Sequence, residues 1–377
     1  MCSVKLDEIL IAAVVLGCVS ILPLRGAPVY PEVEPDTEAP SPDLVCELGA
    51  EPGAESVDPH RWSGRFGGIG IQIGFTGDGL NVEEPIKDGP AAKVGLRRGD
   101  QIVRINGALT AGLGVNDAVA KLRGEPGSLV TLTIFRPGTR ETRDYRIQRN
   151  FIKMHSVRDA QVLPGKVGYV RLTSFNRYTG ADFTAALEQL QREGARACVL
   201  DLRHNRGGLL RGARETASRF LEPAQPVLAL QLNPAEPHRV YFASRYGMRL
   251  RGPLCVLINA NTAGTTELLA SALRAQRRAV LIGSKSFGHT QVVQVVPLPN
   301  GSVSLVHRGE CCTADGTTFA GQGINADIEM AVPPQEELAA WQRNAVGQET
   351  LATPPLADRL IQRAVAICIS QLGQLTQ

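Results

Sequence analysis

At 377 residues, 43% apolar and 20% charged, the chain is too long for one ordinary hydrophobic core and suits two domains plus a tail. A formal charge of +3, with no basic stripe interleaved with aromatic residues, gives no case for nucleic-acid binding. No glycine-rich phosphate loop with its lysine occurs and no His/Cys cluster has metal spacing, so neither a cofactor nor a metal is expected.

The first element is Ile9 to Leu24, 16 residues of almost unbroken apolar character between Lys5 and Arg25. It is short for a membrane-spanning helix and apolar on every side, so residues 1–26 read as a signal peptide or signal anchor. That places the chain outside the cytoplasm, in the cell envelope, anchored or secreted, and in the periplasm of a Gram-negative cell. Val15-Leu16-Gly17-Cys18 faintly resembles a lipoprotein box, but the apolar run continues past Cys18. Ala27 to Glu55 is rich in Pro and Glu, and residues 27–65 are expected to be a disordered linker.

Residues 66–150 form the next unit. Phe66-Gly67-Gly68-Ile69-Gly70-Ile71 supplies a glycine-rich turn, which resembles the carboxylate-binding loop of a PDZ domain, where successive backbone N–H groups can hold a terminal carboxylate. Gly89-Pro90-Ala91-Ala92-Lys93-Val94-Gly95-Leu96 and Gly99-Asp100-Gln101-Ile102-Val103-Arg104-Ile105-Asn106-Gly107 follow, then a short helix at Asp117 to Gly124 and a strand at Val130 to Ile134. This order resembles a PDZ domain. The resemblance implies a peptide-binding site at Gly68, Ile69, Gly70 and Ile71, into which the C-terminus of a peptide or protein adds as an extended strand. The same residues also suit a PDZ domain kept only as a rigid module.

Residues 151–377 alternate strands and helices. Val167 to Phe175 reads as a strand, Gly180 to Leu190 as a helix, and Ala197 to Leu202 as a second strand that ends in His204-Asn205-Arg206-Gly207-Gly208. Pro253 to Asn259 is a short apolar strand, followed by the turn Asn261-Thr262-Ala263-Gly264-Thr265-Thr266-Glu267 and an amphipathic helix through Arg274. A strand, a small-residue elbow and a helix start form the usual perch for a serine nucleophile. Arg278 to Gly283 is a further strand, and Ser284-Lys285-Ser286-Phe287-Gly288-His289-Thr290 follows it.

These motifs together, from about Phe66 onward, resemble the carboxyl-terminal processing proteases, also called tail-specific proteases, which are PDZ-containing serine peptidases with a Ser/Lys dyad. The implied fold is α/β: a PDZ-like domain joined to an α/β protease-like core with a C-terminal helix. Asp201-Leu202-Arg203-His204-Asn205-Arg206-Gly207-Gly208 is similar to the family's Asp-Leu-Arg-Asn-Asn-Pro-Gly-Gly, which implies an oxyanion-loop role for Gly207 and Gly208. Gly321-Gln322-Gly323-Ile324-Asn325-Ala326-Asp327 is similar to Gly-Lys-Gly-Ile-x-Pro-Asp, and Cys311-Cys312-Thr313-Ala314-Asp315-Gly316 takes the place of Tyr-Tyr-Thr-Pro-Ser-Gly. Asp58-Pro59-His60 is what remains of the motif that ends a helical segment before the family's PDZ domain.

The catalytic positions depart from the pattern together. Gly264 stands where the family keeps its nucleophile, three residues before Glu267; His289 stands where it keeps the lysine base; Val293 stands where a glutamine orients that lysine. Imidazole titrates in a useful range, but a base without a nucleophile makes no acyl-enzyme. The resemblance therefore implies an inactive homologue that binds peptides or unfolded C-terminal segments, or regulates an active protease relative. The alternative is an extracytoplasmic endopeptidase with a relocated nucleophile, Thr265 or Thr266 paired with His289; against it, threonines at a helix start ordinarily cap exposed N–H groups. A structural envelope protein is the third reading. Among eight cysteines, Cys198 and Cys255 lie in core strands, and a disulfide from Cys311 or Cys312 to Cys46 or Cys368 is left open.

Overall fold

The computed structural model of the chain describes residues 44–50, 52, 62–76, 79–86, 88–233, 235–244, 250–299, 302–333, 335, 337 and 358–375. Ile9 to Leu24 and Asp58-Pro59-His60 lie outside them. Among the described residues no helix is long and apolar enough to cross a membrane. The chain divides into two compact units, one containing Ser63–Met154 and the other containing the N-terminal strand and His155–Pro334.

The N-terminal strand is β1 (Leu44–Glu47). The smaller unit then runs β2 (Arg65–Gly68), β3 (Ile71–Thr76), β4 (Gly79–Pro85), α1 (Pro90–Lys93), β5 (Gln101–Ile105), β6 (Ala108–Leu109), α2 (Val115–Leu122), β7 (Leu129–Arg136), β8 (Glu141–Gln148) and β9 (Asn150–Lys153). Strands β3-β4-β5-β7-β8 form one antiparallel sheet with β3 at its edge, while β2 pairs with β9. Alternation decides which face is covered: Val130, Leu132 and Ile134 of β7 point inward and are buried with Ile102, Ile105, Ala118 and Ile147. Asp100 lies buried beneath Arg136, whose guanidinium donates to both carboxylate oxygens at 2.7 Å.

The larger unit continues with β10 (Val157–Leu163), β11 (Val167–Leu172), α3 (Thr179–Arg192), β12 (Ala197–Asp201), β13 (Gly207–Leu209), α4 (Leu210–Ala217), β14 (Pro226–Gln231), β15 (Arg239–Phe242), β16 (Leu254–Ile258), α5 (Thr265–Ala275), β17 (Val280–Gly283), β18 (Gln291–Pro297), β19 (Val303–Cys312), β20 (Ile328–Glu329) and α6 (Arg359–Leu375). One sheet has the order β10-β11-β12-β16-β17-β20 and is parallel from β11 onward. Strands β11, β12 and β16 are buried at every residue, as expected of parallel strands covered on both faces. Leu200, Val256 and Leu281 face Phe183, Leu187 and Leu268; Val199, Cys255 and Leu257 face Leu360, Ala364 and Cys368 of α6. Arg203 ties α6 to the sheet through Asp201, at 2.7 Å, and Asp358, at 2.8 Å.

The second sheet of this unit has the order β13-β1-β18-β19-β14-β15. Helix α5 packs against β14 and β13 of that sheet, β17 of the first and α4. Its residues from Thr265 through Leu273 are therefore buried all round, and the expected amphipathic face is not seen. A second expectation also fails. Within the stretch expected to be a disordered linker, Leu44–Glu47 is a strand, and its Leu44, Val45 and Cys46 are buried. Two neighbouring strands complete its backbone hydrogen bonds, and Trp62, Leu209, Val293 and Leu305 bury Val45, so composition alone misjudged this segment.

Candidate active site of the larger unit

The elbow is built where β16 ends. Thr262 Oγ1 accepts from the Asn259 amide at 3.0 Å and bonds the Leu202 carbonyl at 3.1 Å, and the Ala263 amide donates to Asn205 O at 3.0 Å. Gly264 follows with φ 61° and ψ −126° as the N-cap of α5. This is a left-handed backbone that a side chain tolerates poorly, and it matches the strained strand-to-helix turn on which hydrolases seat a nucleophile.

Glu267 holds the elbow against the following turn. Its carboxylate, fully buried, accepts from the Gly264 amide (2.9 Å), Ser286 Oγ (2.5 Å), the Gly288 amide (2.7 Å) and the His289 amide (2.9 Å). Burial raises its pKa above the ordinary glutamate value, against the opposing pull of those four donors. Sequence reading passed over this role, although Glu three residues after an N-cap is a capping-box spacing.

Gly207 and Gly208 lie on β13, beside the elbow. The Gly207 amide donates to Asn205 Oδ1 at 3.1 Å, and the Phe175 and Leu209 amides bond the Gly207 and Phe175 carbonyls. Here β1 enters. Cys46 pairs with Gly208 and Glu47 with Gly207 on one side; Val45 pairs with Val293 and Leu44 with Gln294 on the other. The Cys46 carbonyl lies so close that a Cβ on Gly207 would be 2.2 Å from its oxygen, and a Cβ on Gly264 2.3 Å. Thr265 Oγ1 bonds this oxygen at 3.0 Å and the Gly208 carbonyl at 2.7 Å.

Each position expected to carry chemistry thus meets the strand. Gly264 faces the Cys46 carbonyl; the His289 carbonyl accepts from Cys46 Sγ at 3.5 Å; Val293 is fully buried against Val45, Leu209 and Trp62. Trp62 Nε1 in turn donates to Glu47 Oε2 at 2.5 Å. Of the two threonines offered as substitute nucleophiles, Thr265 directs its hydroxyl at two backbone carbonyls, and Thr266 Oγ1 is buried without a hydrogen-bond partner. Neither is bonded to the His289 ring. Lys285 is exposed on the turn. Among the described residues, no group of three or more His, Cys, Asp or Glu side chains is placed to hold a metal ion.

In the smaller unit, the carbonyls of Gly67, Ile69 and Gly70 accept from the amides of Gly124, Ala91 and Ile86, at 2.9–3.2 Å. A trans peptide carries its C=O and the next N–H on opposite sides, so the amides of Gly70 and Ile71 point away from these partners. Gly70 has φ +73°, and Ile69 is buried beneath the turn. Edge strand β3 begins at once with Ile71, which gives an arriving peptide a backbone to pair with.

The peptidase family S41 model matches residues 166–330, and a PDZ domain model matches residues 82–136. The chain is 35% identical over 283 residues to a carboxy-terminal-processing protease of Bartonella bacilliformis, covering 74% of this chain and 64% of that protein. It is 37% identical over 315 residues to a carboxyl-terminal-processing protease of Picosynechococcus, covering 82% of this chain and 74% of that one. A solved structure of the photosystem II D1 C-terminal processing protease aligns with 28% identity over 71% of this chain and 72% of its own, at a TM-score of 0.42. With its two units matched in the family's order and its identity to these relatives spread over most of its length, the chain belongs to the carboxyl-terminal processing proteases of peptidase family S41.

Proposed function

We propose that this chain is an inactive member of its family that binds the C-termini of peptides or unfolded proteins through its PDZ-like unit, outside the cytoplasm, and that it acts as a binding partner or as a regulator of an active relative. The observation that carries this reading is Gly264. Its backbone holds a nucleophile elbow, but it has no attacking atom, and the Cys46 carbonyl occupies the space a side chain would need. Loss of the nucleophile costs on the order of 10⁶ in turnover in serine proteases. The arrangement of Thr265 and Thr266 supports the same conclusion, since a hydroxyl serves as nucleophile only beside a base. Anchoring through residues 1–26 belongs to the same proposal.

The test is a fluorophosphonate label and a casein digestion assay on the purified protein. The expected result is neither labelling nor turnover. Turnover that disappears in Thr265→Ala or Thr266→Ala would establish a threonine peptidase instead.

A further inference from the structure

Residues Leu44–Glu47 lie between β13 and β18, at the meeting of the elbow and the glycine loop. All three positions that depart from the catalytic pattern contact this strand, and at two of them, Gly264 and Val293, the residue present suits it. Glycine at 264 clears space for the Cys46 carbonyl, and valine at 293 gives Val45 an apolar partner where a glutamine would bury an amide. The backbone of His289 receives the Cys46 thiol. The pairing is antiparallel on both sides, which is how an extended peptide is held in a cleft by main-chain hydrogen bonds.

A second observation concerns the same residue. Cys46 Sγ lies 3.3 Å from Cys311 Sγ, with both residues fully buried and 265 positions apart in sequence. Cys311 sits in β19, and its neighbour Cys312 bonds elsewhere, to the Ala229 carbonyl at 3.6 Å, because successive strand residues face opposite sides. This selects one pair among those the sequence left open.

We propose that Leu44–Glu47 is an internal occupant of the peptide cleft, lying in the place of an extended peptide segment, and that a Cys46–Cys311 disulfide fastens it there. The step joins two thiols already in contact, closing their separation to the usual 2.05 Å or so. One S–S bond forms as the two thiols lose two protons and two electrons. A disulfide oxidant, either a small molecule or a protein, takes them up and is reduced to two thiols. Burial pushes the Cys311 thiol well above its ordinary pKa, so the reactive thiolate is scarce once the strand is seated. The bond therefore forms as the strand docks, during folding in an oxidising compartment. This goes beyond the proposed function, because the strand and its bond do not depend on whether any hydrolysis remains.

The experiment uses the full chain, expressed into an oxidising compartment and alkylated under denaturing conditions without reductant. Peptide mapping is expected to find the Cys46 and Cys311 peptides linked. Reduction should lower the melting temperature by roughly 5–10 °C, as expected for opening so long a loop, and Cys46→Ser or Cys311→Ser should abolish that difference. Hydrogen exchange is expected to show the amides of Val45 to Leu48 as protected as those of Gly207 to Leu209. Recovery of both cysteines alkylated before reduction would overturn the disulfide. Unprotected exchange across Val45 to Leu48 would overturn the occupancy of the cleft.

Discussion

The two units offer an extended peptide opposite receptions. In the smaller unit β3 stands at the edge of its sheet, and the amides of Gly70 and Ile71 face away from the contacts that fix their turn. In the larger unit the corresponding opportunity, between β13 and β18, is already taken by β1. Both sites rest on the same main-chain hydrogen bonding, and the difference lies in who supplies the strand. An edge waits for a ligand of some concentration, whereas a strand tethered in the same chain competes at high effective concentration. In this chain the resident strand and the residues at 264 and 293 fit one another: glycine leaves space for the Cys46 carbonyl and valine packs on Val45.

The largest expected effect follows from trying to undo that change. In the combined substitution Gly264→Ser, His289→Lys and Val293→Gln, the serine enters a left-handed backbone with its Cβ 2.3 Å from the Cys46 oxygen, and the glutamine places an amide in the pocket formed by Val45, Leu209 and Trp62. Strain of about 1–3 kcal/mol from the backbone and a further 1–3 kcal/mol from the unpaired amide should destabilise the larger unit by several kcal/mol. Casein should remain undigested, because the strand still covers the site. The measurements are thermal unfolding and the digestion assay; a triple variant that is as stable as the parent and hydrolyses casein would mean the cleft is open after all.

This outcome also separates what was legible from what was not. The alternation of strands and helices, the PDZ order and the elbow were readable because each rests on a local pattern: apolar runs, turn glycines and a helix start. Gly264, His289 and Val293 were singled out only through the family resemblance, which marks where a nucleophile, a base and an orienting glutamine are expected. What could not be read was Cys46, since its role arises from partners more than 160 positions away, at Gly208, Gly264, His289 and Cys311. Leu44-Val45-Cys46 is a short β-prone run, but inside a Pro- and Glu-rich stretch only the completed sheet distinguishes it from linker. Of the four hydrogen bonds to Glu267, the one from the Gly264 amide follows from a capping-box spacing, whereas those from Ser286, Gly288 and His289 arise only when the turn after β17 folds back onto the elbow.

A smaller effect sharpens the other half of the comparison. If the amides of the Gly68 to Ile71 turn hold a terminal carboxylate, an apolar peptide with a free C-terminus should bind more tightly than its amide, because amidation removes the anion those N–H groups face. A loss of about tenfold or more is expected, corresponding to roughly 1.4 kcal/mol or more and in keeping with a charge-assisted hydrogen bond. Fluorescence anisotropy with the two labelled peptides reads it directly. Equal affinities would show that the unit is retained as a rigid module, and would leave neither region accepting an outside C-terminus.

The smallest effect is a slope with pH, and it concerns what keeps the filled cleft in shape. Glu267 has a folded-state pKa raised above its ordinary 4.5 by burial, even though Ser286, His289, Gly288 and Gly264 all donate to it. A carboxyl group whose pKa rises on folding contributes stability that is full below the unfolded value and is lost as pH climbs through the folded one. Protection of the Gly264, Gly288 and His289 amides, corrected for intrinsic exchange, should therefore decline as pH rises above about 4.5 and level off beyond the folded pKa. In Glu267→Gln the decline should vanish, since no proton is exchanged, while amides in the smaller unit keep the same profile in both proteins. Protection that instead grows with pH over this window would show that the four donors outweigh burial, so that the elbow is held by an ionised bracket of the kind an active relative could also use.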